Sequence, residues 1–321
     1  MPILANTQCN DPAQIRAAFL PFARPDYVQG MIVGDDLDSL LSAMWLHQRF
    51  GWPVAGVYCR YTRIWHAKSQ EDFWGQLLSG RLFAVDLDIC HPNVPSLGHH
   101  IISLRKGEDL PGHSHTLNPN ALRGFSVHEN FNRKYPLATI HFLRWLFQEK
   151  TWSPGAEMLA WLADSSFVNA QHYTKNVAEW VGEFLGFAAF AEILPTLQTL
   201  DFERTLAEKI LRPMSANTLC HRGRSSYKSK HLGLNGFQCQ FDDPSAQNTD
   251  IQSLLAILSE LSGWQKLPFP RQFEGCIEGQ RLEMRIAEAM LPKETVAAWL
   301  ERKEIFSYAF TFKERVNFTI F

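Results

Sequence analysis

The chain has 321 residues, 45% of them apolar and 20% charged, with a formal net charge of −2. That length suits two unequal domains, and the near-neutral charge argues against a protein that coats long nucleic acid by charge alone, which needs many Lys and Arg contacts to phosphate. Its six cysteines, Cys9, Cys59, Cys90, Cys220, Cys239 and Cys276, form no CxxC pair, which argues against a zinc knuckle or a disulfide framework.

The first residues, MPILANTQCNDPAQIR, lack a basic segment followed by an apolar core, and no run of about eighteen apolar residues occurs anywhere. Reduced thiols, a cytoplasmic location and no membrane span are expected. Val28 to Val33 reads as a buried strand ending in the acidic turn Gly34-Asp35-Asp36-Leu37-Asp38, and Ser39 to Phe50 has helical spacing. Pro53 to Tyr58 is a second apolar run and Glu71 to Leu78 a helix. Arg81 to Val85 is a strand that delivers Asp86 at its end, and Val94 to Leu97 is another, followed by Gly98-His99-His100. Alternating strands and helices predict a parallel sheet, whose ligands bind outside the carboxyl ends of the strands.

Residues 106–134 read as a long loop near that edge, where His113, His115, Asn118, Arg123, His128, Arg133 and Lys134 either line the site or sit on the surface. Tyr135 to Gln148 and Pro154 to Ala163 are helical, the second ending at Asp164, and a helix over Val177 to Phe190 leads through Pro195. Trp45, Trp74, Trp145, Trp161 and Trp180 lie within helical patterns and read as packing groups. The predicted fold is α/β: an N-terminal parallel-sheet, Rossmann-like domain over residues 1–195 and a smaller α+β domain over residues 196–321. The second contains a basic turn (His221 to His231), a helix (Asp250 to Gly263), a helix opened by Pro292, and strands Ile305 to Phe312 and Val316 to Phe321.

Asp36 and Asp38 flank one residue in a turn, so both carboxylates can face one point if the backbone bends there. Clustered carboxylates repel, and oxygen plus imidazole ligands suit Mn²⁺ or a similar divalent ion. Each group also has a structural reading. Asp36 or Asp38 can cap the following helix, Asp164 can cap the next one, and His99 can be a hydrogen-bonded core histidine.

Taken in order, Asp36-Leu37-Asp38 with Ser42-Ala43, Val85-Asp86, Gly98-His99-His100 and Ala163-Asp164-Ser165-Ser166-Phe167 resemble the four motifs of the DHH phosphoesterase superfamily. That superfamily includes RecJ-type exonucleases, oligoribonucleases, cyclic-dinucleotide phosphodiesterases and manganese pyrophosphatases. The resemblance covers roughly residues 28 to 170. It implies a DHH-type catalytic domain in which Asp36, Asp38, Asp86, His99 and Asp164 ligate two Mn²⁺ or Mg²⁺ ions, with Asp86 between them. It also implies that His100 faces the phosphate and that metal-activated water attacks.

The implied activity is hydrolysis of short single-stranded oligonucleotides or dinucleotides. The alternatives are a pyrophosphatase-like hydrolase, or a degenerate DHH domain that binds nucleic acid or a partner protein without catalysis. Homodimerisation is left open. The chain departs from the motifs at Gly98, where the signature has Asp, at Ile32, where His is common, and in the short interval from Asp86 to His99, which leaves Asp88 as a rival to Asp86. In the C-terminal half, Gly275 to Gly279 is a poor match to the family's glycine-rich segment. The basic turn offers Arg222, Arg224, Tyr227 and Lys228 for phosphate contact and base stacking, or is a solvated loop.

Overall fold

The computed structural model describes residues 11–222 and 227–321, with Arg222 described by its backbone alone. The strands, in chain order, are β1 (Gly30–Gly34), β2 (Val54–Cys59), β3 (Arg63–His66), β4 (Leu82–Val85), β5 (Ser96–Leu97), β6 (Thr116–Leu117), β7 (Cys220–Arg222), β8 (Phe237–Cys239), β9 (Gly275–Glu278), β10 (Gln280–Arg285), β11 (Ile305–Phe312) and β12 (Arg315–Ile320). They form a seven-stranded sheet in the order β6-β5-β4-β1-β2-β3-β9, a three-stranded sheet β10-β12-β11 and a β7-β8 ladder. Pairing is parallel from β6 through β2 and antiparallel at β3 and β9, so the molecule is α/β with a mainly parallel sheet. No helix among the described residues is long and apolar enough to cross a membrane. Cys59, Cys90, Cys220, Cys239 and Cys276 carry no disulfide, and Cys9 lies outside the described residues.

The chain divides into two compact units, Met1–Gly34 with Trp52–Tyr135 and Gln272–Phe321, and Asp35–Gly51 with Pro136–Arg271. The expected break near residue 195 coincides with none of the four points where the chain passes between the units and falls inside the helix Ala188–Leu197. β9, from far beyond that point, pairs with β3 at the edge of the large sheet. A single cut suits local contacts, and this pairing is not local.

In the first unit, β1, β2 and β4 read GMIVG, VAGVYC and LFAV and are buried along their whole length. Strands covered on both faces cannot alternate apolar with polar residues, which is why these runs are continuous. Packing leaves no room for a side chain at Gly56, where a Cβ would lie 2.8 Å from the Phe73 ring of the helix Gln70–Leu78.

The β2–β3 turn carries Arg60 and Tyr61 at φ 54° and 55°, closed by Thr62 N donating to Cys59 O at 2.9 Å. Such turns favour Asn and Gly, neither of which is present, so β3 has no sequence signal. The C-terminal strands hold the turn instead: Thr319 Oγ1 donates to Tyr61 O at 2.6 Å, and the Arg281 guanidinium lies over the Tyr61 ring. β11 has the bounds expected for it and is tied into this unit. Phe310 N donates to Ile101 O at 3.2 Å, Tyr308 OH donates to Ile102 O at 2.8 Å, and the Tyr58 and Ser307 hydroxyls meet at 2.8 Å.

The second unit is mainly helical, with Leu37–Phe50, Thr139–Leu146, Pro154–Leu162, Ser166–His172 and Asn248–Ser262 among its helices. Trp161, Phe167, Trp180 and Phe190 are fully buried, and Trp45 and Trp145 also pack inside. The helix Pro154–Leu162 begins where Ser153 accepts a hydrogen bond from Ala156 N and Pro154 supplies a preset φ. The helix expected over 177–190 is not continuous. A π-helical segment, Trp180–Leu185, ends at Gly186 in the left-handed region, and a new helix starts at Ala188.

Candidate active site

Register aligns the chemistry in the first unit. Val33 pairs with Val85, Val85 with Leu97 and Leu97 with Leu117 across β1, β4, β5 and β6. The next residues along those strands are Gly34, Asp86, Gly98 and Asn118, a single row at the carboxyl edge of the sheet. Ligands of open parallel sheets bind at that edge.

Asp86 turns the chain at φ 59°, a conformation that Asp tolerates better than most residues but still one that marks a constrained position. Its Oδ1 lies 3.1 Å from His99 Nδ1, and Asn120 Nδ2 donates to His99 O at 2.7 Å. Asp88 makes a second pair, its Oδ2 lying 3.0 Å from His100 Nδ1 and accepting from His100 N at 3.3 Å. The two imidazole rings stack with centroids 4.4 Å apart. Asp86 and Asp88, rivals in the sequence, each take their own histidine. Burial alone would raise the pKa of Asp88, but the hydrogen bond from His100 and the charges of His100, His99 and His113 hold it below its ordinary value.

A cavity of about 120 Å³ opens beside this pair. Asp88 and His100 line one side, and Arg281, Ser307, Thr311 and Asn317 of the three-stranded sheet line another. The Thr311 hydroxyl and the Asn317 side-chain carbonyl oxygen are buried there without a hydrogen-bond partner in the protein. Buried polar atoms are rarely left that way, so both point to water or a ligand.

The second unit holds the other expected ligands. Asp36 caps the helix Leu37–Phe50, its Oδ1 accepting from Ser39 N at 2.9 Å, which is the structural role its sequence position allows. Asp38 is buried, with Thr139 N donating to its Oδ2 at 2.6 Å, and Ile140 N and the Ser42 hydroxyl donating to its Oδ1 at 3.0 and 3.3 Å. It therefore meets the amide end of the helix Thr139–Leu146, where unsatisfied N–H groups favour an anion. Asp164 sits at φ 49° in the kink between the helices Pro154–Leu162 and Ser166–His172, and it is exposed.

No family model, curated protein or solved structure matches the chain.

In the basic turn, the exposed Tyr227 ring stacks on His172 at 4.8 Å and meets Tyr173 edge-on at 5.6 Å. His172 Nε2 lies 2.7 Å from Lys228 O, and the Lys228 side chain is exposed. Arg224 and the side chain of Arg222 lie outside the described residues. Of the loop residues, Asn118 reaches the site, whereas His113 is buried against Tyr308 and lies 2.9 Å from Thr116 Oγ1.

Asn120, Arg281, Thr311 and Asn317 carry no sequence signal, because nothing local distinguishes them from other polar loop and strand residues. Asp88 did carry one: it is a second acid two residues after Asp86.

Proposed function

We propose that this chain is a metal-dependent phosphodiesterase that hydrolyses short oligonucleotides or dinucleotides. The observation that carries the reading is the pairing of Asp86 with His99, and of Asp88 with His100, at the carboxyl edge of a parallel sheet. We assign Asp86 and His99, paired within the first unit, to a divalent cation. In support, Asp86 ends β4 at the carboxyl edge of the parallel sheet, where ligands of such sheets bind. Carboxylate and imidazole ligands suit Mn²⁺, and with water and phosphate oxygens also Mg²⁺. Such an ion, when bound, polarises a phosphoryl oxygen and makes water a better nucleophile. A second ion on Asp36 and Asp164 is not part of the proposal, since Asp36 caps its own helix and Asp164 is exposed at a kink.

His100 lines the cavity with Nδ1 turned to Asp88, so its other nitrogen is the one available to hold a phosphoryl oxygen. Arg281 adds positive charge there, and Thr311 and Asn317 offer a hydroxyl and a carbonyl to a polar ligand. The cavity beside His100, lined by charged and polar groups, suits a phosphate or a sugar.

Hydrolysis of labelled RNA and DNA from dinucleotides upward, with Mn²⁺, tests the reading in the wild type, Asp86→Ala and His99→Ala. The shortest substrates should be cut, and each variant should lose at least the roughly 100-fold that even an outer partner of a metal ligand can cost. Undiminished cleavage by both variants sinks the site. Mn²⁺ binding without cleavage of any phosphodiester would favour the non-catalytic binding domain, the reading supported by Gly98 and by the capping role of Asp36.

A further inference from the structure

We infer that Asp88 is the positioning residue of His100 and stands in for the carboxylate that Gly98-His99-His100 lacks at its first position. The substitution of Gly for Asp there has a steric counterpart. A Cβ on residue 98 would fall on Asp88 Oδ1 and lie 2.8 Å from Oδ2. The Asp88 carboxylate and any side chain at residue 98 therefore exclude each other. β4 and β5 are adjacent and parallel, with Val85 level with Leu97, so the segments leaving them run side by side. Either segment can supply a carboxylate to the space beside His100, and here the one after β4 supplies it.

The carboxylate is fixed from several directions. Its Oδ2 meets His100 at Nδ1 and at the backbone N, and its Oδ1 accepts from Asn118 Nδ2 at 2.9 Å. Asn118 also donates to His100 O at 2.8 Å, while its own Oδ1 accepts from Asn120 N and Ala121 N at 2.9 and 3.2 Å, so the amide cannot turn over. His100 is thus held at its amide, its carbonyl and one ring nitrogen, which sets the direction of the ring toward the cavity it lines. That this orientation serves phosphate chemistry rests on the function proposed above. The mutual exclusion of residue 98 and Asp88 does not.

A double-mutant cycle separates positioning from bulk stability: Asp88→Ala, Gly98→Asp and the two together, read by kcat and KM on a dinucleotide and by ¹⁵N NMR of the His100 ring. Asp88→Ala should lose the hydrogen-bonded Nδ1 signal and lower kcat about 10- to 100-fold, the range for removing the partner that orients a site residue, with KM little changed. Gly98→Asp should be damaging while Asp88 is present and restorative when it is absent, recovering the Nδ1 signal and most of kcat. Independent structural roles would make the two effects add. Additivity in both readouts overturns the inference.

If Asp88→Ala alone does not fold, a double variant that regains both a cooperative unfolding transition and the Nδ1 signal upholds it, and one that regains neither overturns it. If the wild type cuts no phosphodiester, recovery of the Nδ1 signal in the double variant still upholds the positioning role while the proposed function falls.

Discussion

The two units treat their hydrogen-bonded carboxylates differently. In the second, Glu203 accepts from the Ser229 hydroxyl at 2.6 Å, Gln171 Nε2 at 2.9 Å, Leu232 N at 2.6 Å and His231 N at 3.2 Å. Glu157 accepts from Arg144 Nη1 at 2.7 Å on both oxygens, and that guanidinium is also bound by Glu149 O and Lys150 O. These partners are main-chain amides, uncharged side chains and an always-charged guanidinium, and they bind loops to helices. In the first unit, Asp86 and Asp88 meet imidazoles, a group that itself ligates cations. A carboxylate saturated by fixed donors is a strut, whereas one paired with an imidazole at the edge of a parallel sheet keeps a partner that chemistry can exchange.

That contrast breaks first at Arg144. Arg144→Ala leaves the partly buried Glu157 without its cation and frees Glu149 O and Lys150 O, and should cost about 1.5–3 kcal/mol in urea unfolding, with hydrolysis per folded molecule unchanged. A loss below about 1 kcal/mol would put this pair with the surface ion pairs and remove the distinction. Glu203→Gln comes next, at about 1–3 kcal/mol, because one strong acceptor is replaced by an amide that brings donors of its own.

The acid response sharpens the point. Burial alone would raise the pKa of Glu203, but the bonds from Ser229, Leu232, Gln171 and His231 bring it below its ordinary value. Its contribution is complete above the unfolded value, near pH 4.3, and is lost as pH falls through the lowered folded value. The wild type should therefore lose melting temperature more steeply than Glu203→Gln below about pH 4, and parallel curves would contradict the assignment. The smallest effect belongs to Tyr227→Ala, within about 0.5 kcal/mol and without change in KM for oligonucleotides. A marked rise in KM would return the basic turn to the site.

The acidic turn and the Asp86 turn were legible because each follows a continuous apolar run, the pattern a doubly covered strand must have. β11 was legible from a stretch rich in aromatic and β-branched residues. β3 and β9 were not, since the turn that launches β3 uses Arg60 and Tyr61 held by Thr319 and Arg281 from distant strands. The residues Arg281, Thr311 and Asn317 entered the candidate site for the same reason: they reach the cavity through pairing of β10, β11 and β12 and not through any local motif. The stacking of Tyr227 on His172 was not legible either, because composition cannot show a contact between residues so far apart in the chain.

By itself the sequence determined the class of the fold and the sheet edge at which Asp86, Asp88, His99 and His100 gather, because hydrophobic periodicity and the order of strand-ending acids are local properties of the chain. Tertiary structure decided which acid serves which histidine. Asp86 and Asp88 differ by two residues in a turn, and no propensity separates them. The level pairing of β4 with β5, and the space left open by the missing side chain at Gly98, give one carboxylate to His99 and the other to His100.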